Sequence, residues 1–204
     1  MIYDDTCRTS AVGPGRIGVG LTHSWIAGAR LYRWRGALDD ARPARSWDEA
    51  LHALVDMADG RRIQEVQIWA HGKWGDARMA QDVFDGRCLL RDHPLRHVLD
   101  DIEALVDEQS LWWFRTCETI GAHVGHAFAE HLSCRLGCRV AGHTHIIGPW
   151  QSGLHSLAPG DVPHWDVDEG LVEGTARDPR RAAWSTASAP HTIHCMQSQI
   201  PQGW

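Results

Sequence analysis

The sequence lacks long apolar runs, and this absence limits where the protein can reside. No stretch approaches the roughly 20 consecutive apolar residues that a membrane-spanning helix needs. The first ten residues contain neither a basic start nor an apolar segment, so they do not resemble a secretory signal. We therefore expect a soluble protein with no membrane partner, and the cytoplasm is the expected location.

Positive charge is scarce as well. Lys and Arg together number 20 against 26 Asp and Glu, the formal net charge is -6, and no run of basic residues occurs. Proteins that bind nucleic acid generally carry a basic face for the phosphates, so we expect no nucleic-acid partner. The Cys-x-x-Cys, His-Glu-x-x-His and Gly-x-Ser-x-Gly motifs are also missing. Their absence disfavours a compact zinc site and a serine-hydrolase elbow.

Cysteine and histidine, in contrast, are plentiful: the chain has 6 Cys and 14 His. Without an export signal, the thiols are expected to stay reduced, because reducing compartments keep cysteines free. We therefore interpret the cysteines as free side chains available for packing or for chemistry. Nothing in the sequence calls for a cofactor.

The 204 residues fit a single domain, 1–204, in which strand-like and helix-like segments alternate. This alternation predicts an α/β fold with a mostly parallel central sheet flanked by helices. We expect the core at about residues 16–148 and a loop-rich part at 149–204. Strands are predicted at 16–22, 29–34, 65–70, 111–114, 139–147 and 192–196, helices at 47–59, 94–107 and 120–136, and a small hairpin within 73–86.

Two chemically competent side chains follow buried strands. His71 ends the strand at 65–70, and Cys117 lies just beyond the strand at 111–114. In parallel sheets, functional groups gather at the carboxyl ends of the strands. A thiolate is a nucleophile, and a nearby imidazole can hold the proton that it gives up. Gly72 lacks a Cβ, so its amide and that of Cys117 could donate to a developing oxyanion.

These two elements resemble those of a known family. Residues 66–72, Val-Gln-Ile-Trp-Ala-His-Gly, look like the strand-then-His-Gly element of caspase-like peptidases. Residues 112–119, Trp-Trp-Phe-Arg-Thr-Cys-Glu-Thr, look like their strand-then-Cys element. Residues 121–129 and 140–144 are similar to bacterial members, which include CHAT-type domains and a related caspase-like domain of unknown function found beside large adhesins. The resemblance covers roughly residues 64–148.

The resemblance implies a caspase–haemoglobinase-like three-layer sandwich. It also implies that Cys117 is the nucleophile, that His71 is the acid/base, and that the amides of Gly72 and Cys117 form the oxyanion site. The residues after Cys117 differ from those of caspases, and no caspase-like arginine pocket is visible. Aspartate specificity is therefore not carried over.

Other residues are candidates for a substrate pocket or for a metal site. Trp74 and Trp150 occur in predicted loops, where an aromatic wall for a substrate is plausible, and Gln151 and Ser152 share the second of these loops. Glu118 could select a basic side chain, although we expect it to face solvent. His143 and His145, two apart on one strand face, are an alternative pair of zinc ligands.

Three hypotheses follow. The first is a cysteine peptidase that acts on a peptide or protein substrate through Cys117 and His71. The second is a catalytically silent caspase-like module that binds or regulates a partner. The third is a zinc hydrolase that uses His143 and His145. The sequence leaves the substrate, the need for proteolytic activation and the oligomeric state open.

Overall fold

The computed structural model of the chain describes residues 1–14 and 16–204. Over these residues the strands are β1 (Ile2–Asp4), β2 (Thr9–Gly13), β3 (Arg16–Val19), β4 (Arg42–Ala44), β5 (Glu65–Trp69), β6 (His71–Lys73), β7 (Asp76–Met79), β8 (Asp82–Asp85), β9 (Leu111–Phe114), β10 (Arg139–His143), β11 (Trp150–Gln151), β12 (Leu154–Leu157), β13 (Leu171–Thr175), β14 (Asp178–Ala182) and β15 (Ile193–His194). The α-helices are α1 (Leu21–Trp34), α2 (Trp47–Ala58), α3 (Arg96–Glu103) and α4 (Ala122–Leu136), and Gly86–Leu89 forms a single 3-10 turn.

Six of the strands form the central sheet, in the order β4-β1-β5-β9-β10-β12. Five of them are parallel to one another, and β12 at one edge runs antiparallel to β10. The chain adds β4 on one side of β1 and then all later sheet strands on the other side. The direction of winding therefore reverses between β1 and β5, which is the position where ligands bind in many open α/β sheets.

Helices and loops cover both faces of this sheet, as the sequence predicts. Apolar residues of α2, α3 and α4 pack with Val66, Ile68, Trp112 and Phe114 on one face. On the other face, α1 packs against Trp69, and the C-terminal residues Ile193, Ile200 and Trp204 pack against Trp113. The result is a three-layer α/β sandwich. No helix in the described part of the chain is both long and apolar enough to cross a membrane.

The buried Arg115 holds the C-terminal segment against the face of the sheet that α1 covers. The Arg115 guanidinium lies over the rings of Tyr32, Trp69 and Trp113, at 4.5–5.6 Å from their centroids. It donates hydrogen bonds to the Gln197 carbonyl oxygen at 2.9 Å and to the Cys195 carbonyl oxygen at 3.2 Å. The Tyr32 hydroxyl bonds to the same two carbonyl oxygens. These contacts close the loop-rich part of the chain over the sheet.

The helix predicted at 47–59 is present as α2, and a capping box starts it. Ser46 is the N-cap, and its hydroxyl accepts a hydrogen bond from the Glu49 amide at 3.2 Å. The helix ends at Ala58, where Asp59 takes the left-handed conformation one residue before Gly60. The predicted end of the helix at residue 136 is also confirmed, because Gly137 caps α4 with a φ of 64°.

Two predictions about the first part of the chain are wrong. Residues 29–34 belong to α1 instead of a strand: Ala29 and Tyr32, three apart, are the buried positions, and this is helical spacing. The core does not begin at about residue 16 as expected, because Ile2–Asp4 already forms a strand inside the central sheet. Three residues are too few to show an alternating pattern.

The segment between β5 and α3 is more elaborate than the predicted hairpin. It forms the three-stranded antiparallel sheet β6-β7-β8, which lies beyond the carboxyl end of β5. The segment after residue 148 contains the small antiparallel pairs β13-β14 and β11-β15 in addition to loops.

Candidate functional site

The central strands β5 and β9 bring His71 and Cys117 to the same edge of the sheet. Ile68 is paired with Phe114, and the Arg115 amide donates to the Ile68 carbonyl oxygen at 2.8 Å. His71 and Cys117 each lie three residues beyond this pair. The adjacency of the two strand ends, which the sequence predicts, is thus present in the fold.

Gly72 is where the two strand ends touch. A Cβ built on Gly72 would lie 2.6 Å from the Cys117 carbonyl oxygen and 2.9 Å from Thr116 Cβ, and it would overlap the Thr119 hydroxyl. Real Cβ atoms do not approach other atoms so closely, so the backbone here requires glycine. The sequence predicts a close approach of Gly72 to a substrate carbonyl, and the structure shows a close approach to the carbonyl of Cys117. The role of the two amides as an oxyanion site stays a prediction.

The Cys117 thiol is half-buried. Its Sγ lies 4.0 Å from the Ile147 carbonyl oxygen, which is its hydrogen-bond acceptor. Burial raises the pKa of the Cys117 thiol, and the nearby Glu118 carboxyl raises it further. The resting side chain at neutral pH is therefore a neutral thiol, and a base has to remove its proton before or during nucleophilic attack.

His71 lies between α1 and the end of β1. Its ring is packed edge-on against Trp25, with 5.8 Å between the ring centroids. Ligand atoms of Asp4, Cys7 and His71 lie within 4.8 Å of one another, and the Cys7 thiol donates to Asp4 Oδ2 at 3.5 Å. Among the residues that the structure describes, no hydrogen bond joins His71 to Cys117.

Asp4 and Cys7 are neighbours of His71 that the sequence reasoning missed. They follow β1, which lies beside β5 at the point where the winding of the sheet reverses. One feature of the sequence could have indicated β1. The apolar pair Met1-Ile2 precedes Asp4 and Asp5, and a very short buried strand can begin with such a pair. Burial raises the pKa of the Cys7 thiol, and the Asp4 carboxylate adds to this, so Cys7 too rests as a neutral thiol.

Glu118, next to Cys117, is buried, so the expectation that it faces solvent is wrong. Its side chain is 8% exposed, and its backbone has a φ of 48°. Burial raises the pKa of the Glu118 carboxyl to about 7. One of its oxygens, Oε2, has no hydrogen-bond partner in the described structure. A buried carboxyl with a free acceptor is suited to receive a donor from a bound molecule.

The four other pocket candidates fall into two pairs. Trp74 lies beside Gly121 at the start of α4, and Trp150, 42% exposed, packs edge-on against His194. Gln151 is buried and accepts hydrogen bonds from Arg115 at 2.6 and 3.1 Å. Ser152 is fully buried, and its hydroxyl donates to the Thr186 carbonyl oxygen. Gln151 and Ser152 thus hold the C-terminal loops, and a contact with substrate stays a prediction for all four.

His143 and His145, the alternative zinc ligands, are engaged with the protein itself. His143 Nδ1 lies 3.2 Å from the Ser152 carbonyl oxygen, and complete burial lowers the pKa of His143 to about 3. His145 Nδ1 lies 2.9 Å from the Thr144 hydroxyl, and burial lowers the pKa of His145 as well. Within residues 1–14 and 16–204, neither histidine belongs to a group of three metal-ligating side chains.

The site differs from two cavities elsewhere in the protein. Cavities of about 640 and 480 Å³ are lined mainly by residues 196–202 and by residues 36–40 and 61–65, respectively. Neither is lined by His71 or Cys117. The two side chains lie instead at the carboxyl edge of the central sheet.

Comparison of the chain with family models, with curated proteins and with solved structures finds no match. The function therefore has to be inferred from the residues at the carboxyl edge of the sheet.

Proposed function

We propose that the protein is a cysteine-dependent hydrolase, most specifically a caspase-like peptidase, with Cys117 as nucleophile and His71 as acid/base. One observation carries this proposal. Cys117 and the His71-Gly72 pair follow adjacent parallel strands, and the Gly72 backbone packs directly on the Cys117 carbonyl. A thiol and an imidazole at neighbouring strand ends can exchange a proton once their side chains come within hydrogen-bond reach.

The layered fold supports the same assignment. A mostly parallel six-stranded sheet with helices on both faces is the architecture that the caspase-like resemblance implies. The pair lies beyond the carboxyl ends of the strands, where such sheets place their chemistry. The flanking antiparallel sheet β6-β7-β8 begins at His71, so it forms one wall of the site.

The reaction would proceed by acyl transfer. Cys117 Sγ attacks the amide carbonyl carbon as His71 takes the thiol proton, and the amides of Gly72 and Cys117 bind the oxyanion. His71 then gives this proton to the leaving amine, and a thioester remains on Cys117. Water, deprotonated by His71, hydrolyses the thioester and restores the thiol. Because the resting thiol is neutral, its deprotonation would accompany the binding of substrate.

Glu118 would influence the choice of substrate. Its carboxyl is buried beside the nucleophile and has one oxygen without a partner. A Lys or Arg side chain of the substrate would satisfy this oxygen and favour the ionised carboxylate. We therefore expect a preference for a basic residue before the cleaved bond.

A silent binding module is the second candidate, and one observation favours it. His71 is grouped with Asp4 and Cys7, whereas the Cys117 thiol is directed to the Ile147 carbonyl. In this alternative, the same edge would hold a peptide without cutting it.

A cleavage assay with a panel of fluorogenic peptides separates these possibilities. The panel carries basic, acidic or apolar residues before the scissile bond, and the variants are Cys117→Ala, His71→Gln and the matched control Cys7→Ala. We expect Cys117→Ala and His71→Gln to lose at least about a thousandfold in kcat/KM, and Cys7→Ala to retain most of it. Circular dichroism spectra confirm that each variant is folded.

Other outcomes would reject the assignment. Loss of cleavage in Cys7→Ala with retention in Cys117→Ala would make Cys7 the nucleophile. Retention in all three variants would exclude Cys117 and Cys7 as the nucleophile and His71 as the acid/base. Peptide binding without any cleavage by the wild type would favour the silent module.

A further inference from the structure

A second group of ligand-type side chains lies in the C-terminal part of the chain. Ligand atoms of His155, Glu169 and His191 are within 4.8 Å of one another. They come from three separate places, namely β12, the turn before β13 and the loop before β15. Nothing in the proposed hydrolase mechanism uses them.

Two of the three side chains are held firmly in place. His155 is buried, and its ring is stacked on Trp165 with an interplanar angle of 12°. Its Nε2 lies 2.8 Å from Glu169 Oε1, which also accepts a hydrogen bond from the Thr144 hydroxyl at 2.9 Å. Hydrogen bonds that orient a ligating carboxylate in this way are typical of metal sites.

The third side chain, His191, is positioned by a strained backbone. His191 has a φ of 43°, a left-handed conformation that residues with a Cβ seldom adopt. Its carbonyl oxygen is bonded to β12, because it accepts a hydrogen bond from the Leu154 amide at 3.1 Å. The ring lies edge-on to that of His155, with 4.7 Å between the centroids. Strain of this kind is found mainly where it positions a functional group.

We propose that His155, Glu169 and His191 bind a divalent transition metal ion of the zinc type. Two imidazoles and one carboxylate are a ligand set of catalytic zinc sites and of related first-row metals. Bonds of about 2.0–2.2 Å would draw the ligand atoms together, and His191, which is exposed, can supply this movement. The metal would replace the hydrogen bond between His155 and Glu169 and release its proton.

Such an ion would act as a clamp. It would join β12, at the edge of the central sheet, to the turn that carries Glu169 and the loop that carries His191. Because His191 is exposed, the ion would also keep coordination positions that solvent can occupy. The site is separate from His71 and Cys117, so it does not depend on the proposed peptidase activity.

Equilibrium dialysis of the full chain against Zn²⁺, after stripping with a chelator, tests the proposal. The variants are Glu169→Gln and His191→Asn. Asparagine is chosen at position 191 because it adopts the left-handed backbone conformation more readily than alanine does. The control is His131→Ala, an exposed histidine on α4. Cys7→Ser removes a ligand from the Asp4, Cys7 and His71 group, which could also take up metal.

We expect one equivalent of zinc per chain in the wild type, in His131→Ala and in Cys7→Ser, and none in the two cluster variants. Thermal melting should show the same pattern, with a rise of roughly 5–10 °C at a hundredfold excess over the dissociation constant. Co²⁺ should bind without a thiolate charge-transfer band. Failure of the wild type to bind, undiminished binding in both cluster variants, or loss of binding in Cys7→Ser alone would overturn the proposal.

Discussion

The backbone of Gly72 rests against the carbonyl oxygen of Cys117, at a distance that leaves no room for a Cβ. This contact joins the ends of β5 and β9, on which the proposed nucleophile and base are carried. It makes Gly72 a residue of the fold as well as of the proposed site.

The substitution Gly72→Ala should therefore destabilise the protein. The added methyl group would meet backbone and buried atoms of Cys117, Thr116 and Thr119, which cannot move aside freely. We expect a loss of about 1–3 kcal/mol in the free energy of unfolding, as in other overpacked cores. Urea denaturation measures this, with Gly86→Ala as the matched control because nothing lies within 4 Å of a Cβ at that position. Equal stability of both variants would contradict the close contact.

Glu118 should make stability depend on pH. Burial raises the pKa of its carboxyl to about 7, so the folded state holds a proton that the unfolded state loses from about pH 4.5 upward. Stability should consequently fall as pH rises from about 4.5 to about 7, by up to about 3 kcal/mol. Glu118→Gln should remove this component.

The measurement is the difference in unfolding free energy between the wild type and Glu118→Gln at several pH values. Glu108→Gln, an exposed position, serves as the control and should run parallel to the wild type. A difference that does not change with pH would show that Glu118 is ionised normally.

Arg115 should be required to hold the C-terminal segment. Replacement by Met leaves the carbonyl oxygens of Cys195 and Gln197 without their guanidinium donor, at an expected cost of about 3 kcal/mol. Amide hydrogen exchange in residues 193–204 should accelerate more than exchange in β5. The control Arg35→Met removes an exposed arginine that donates to the Met196 carbonyl oxygen, and it should cost about 0.5 kcal/mol. Comparable effects of both substitutions would refute a special role for Arg115.

Cys117 should react slowly with a small alkylating agent at neutral pH. Because burial raises the pKa of its thiol, the reactive thiolate is scarce, and the rate should rise about tenfold per pH unit up to about pH 9. Mass spectrometry locates the adduct, and the exposed Cys134 on α4 should react faster throughout. A Cys117 rate that is flat between about pH 6 and about pH 8 would instead indicate a preformed thiolate.

Much of the local structure can be predicted from the sequence. The capping box of α2, the stop of α4 and the apolar strands β5 and β9 depend on neighbouring residues, so their patterns are visible in the chain itself. The errors arise where the pattern is short or ambiguous. In α1, the aromatic residues Tyr32 and Trp34 are typical of a strand, yet the buried positions repeat at helical spacing because the helix lies on one sheet face.

The groups of side chains, by contrast, depend on tertiary structure. By itself the sequence determines that His71 and Cys117 follow buried strands, because short-range apolar periodicity defines those strands. Only the insertion of β1 beside β5 places Asp4 and Cys7 next to His71, and only the packing of the C-terminal loops places His191 beside His155 and Glu169. These contacts join residues that are distant in the chain, and the order of strands and the closure of loops decide them.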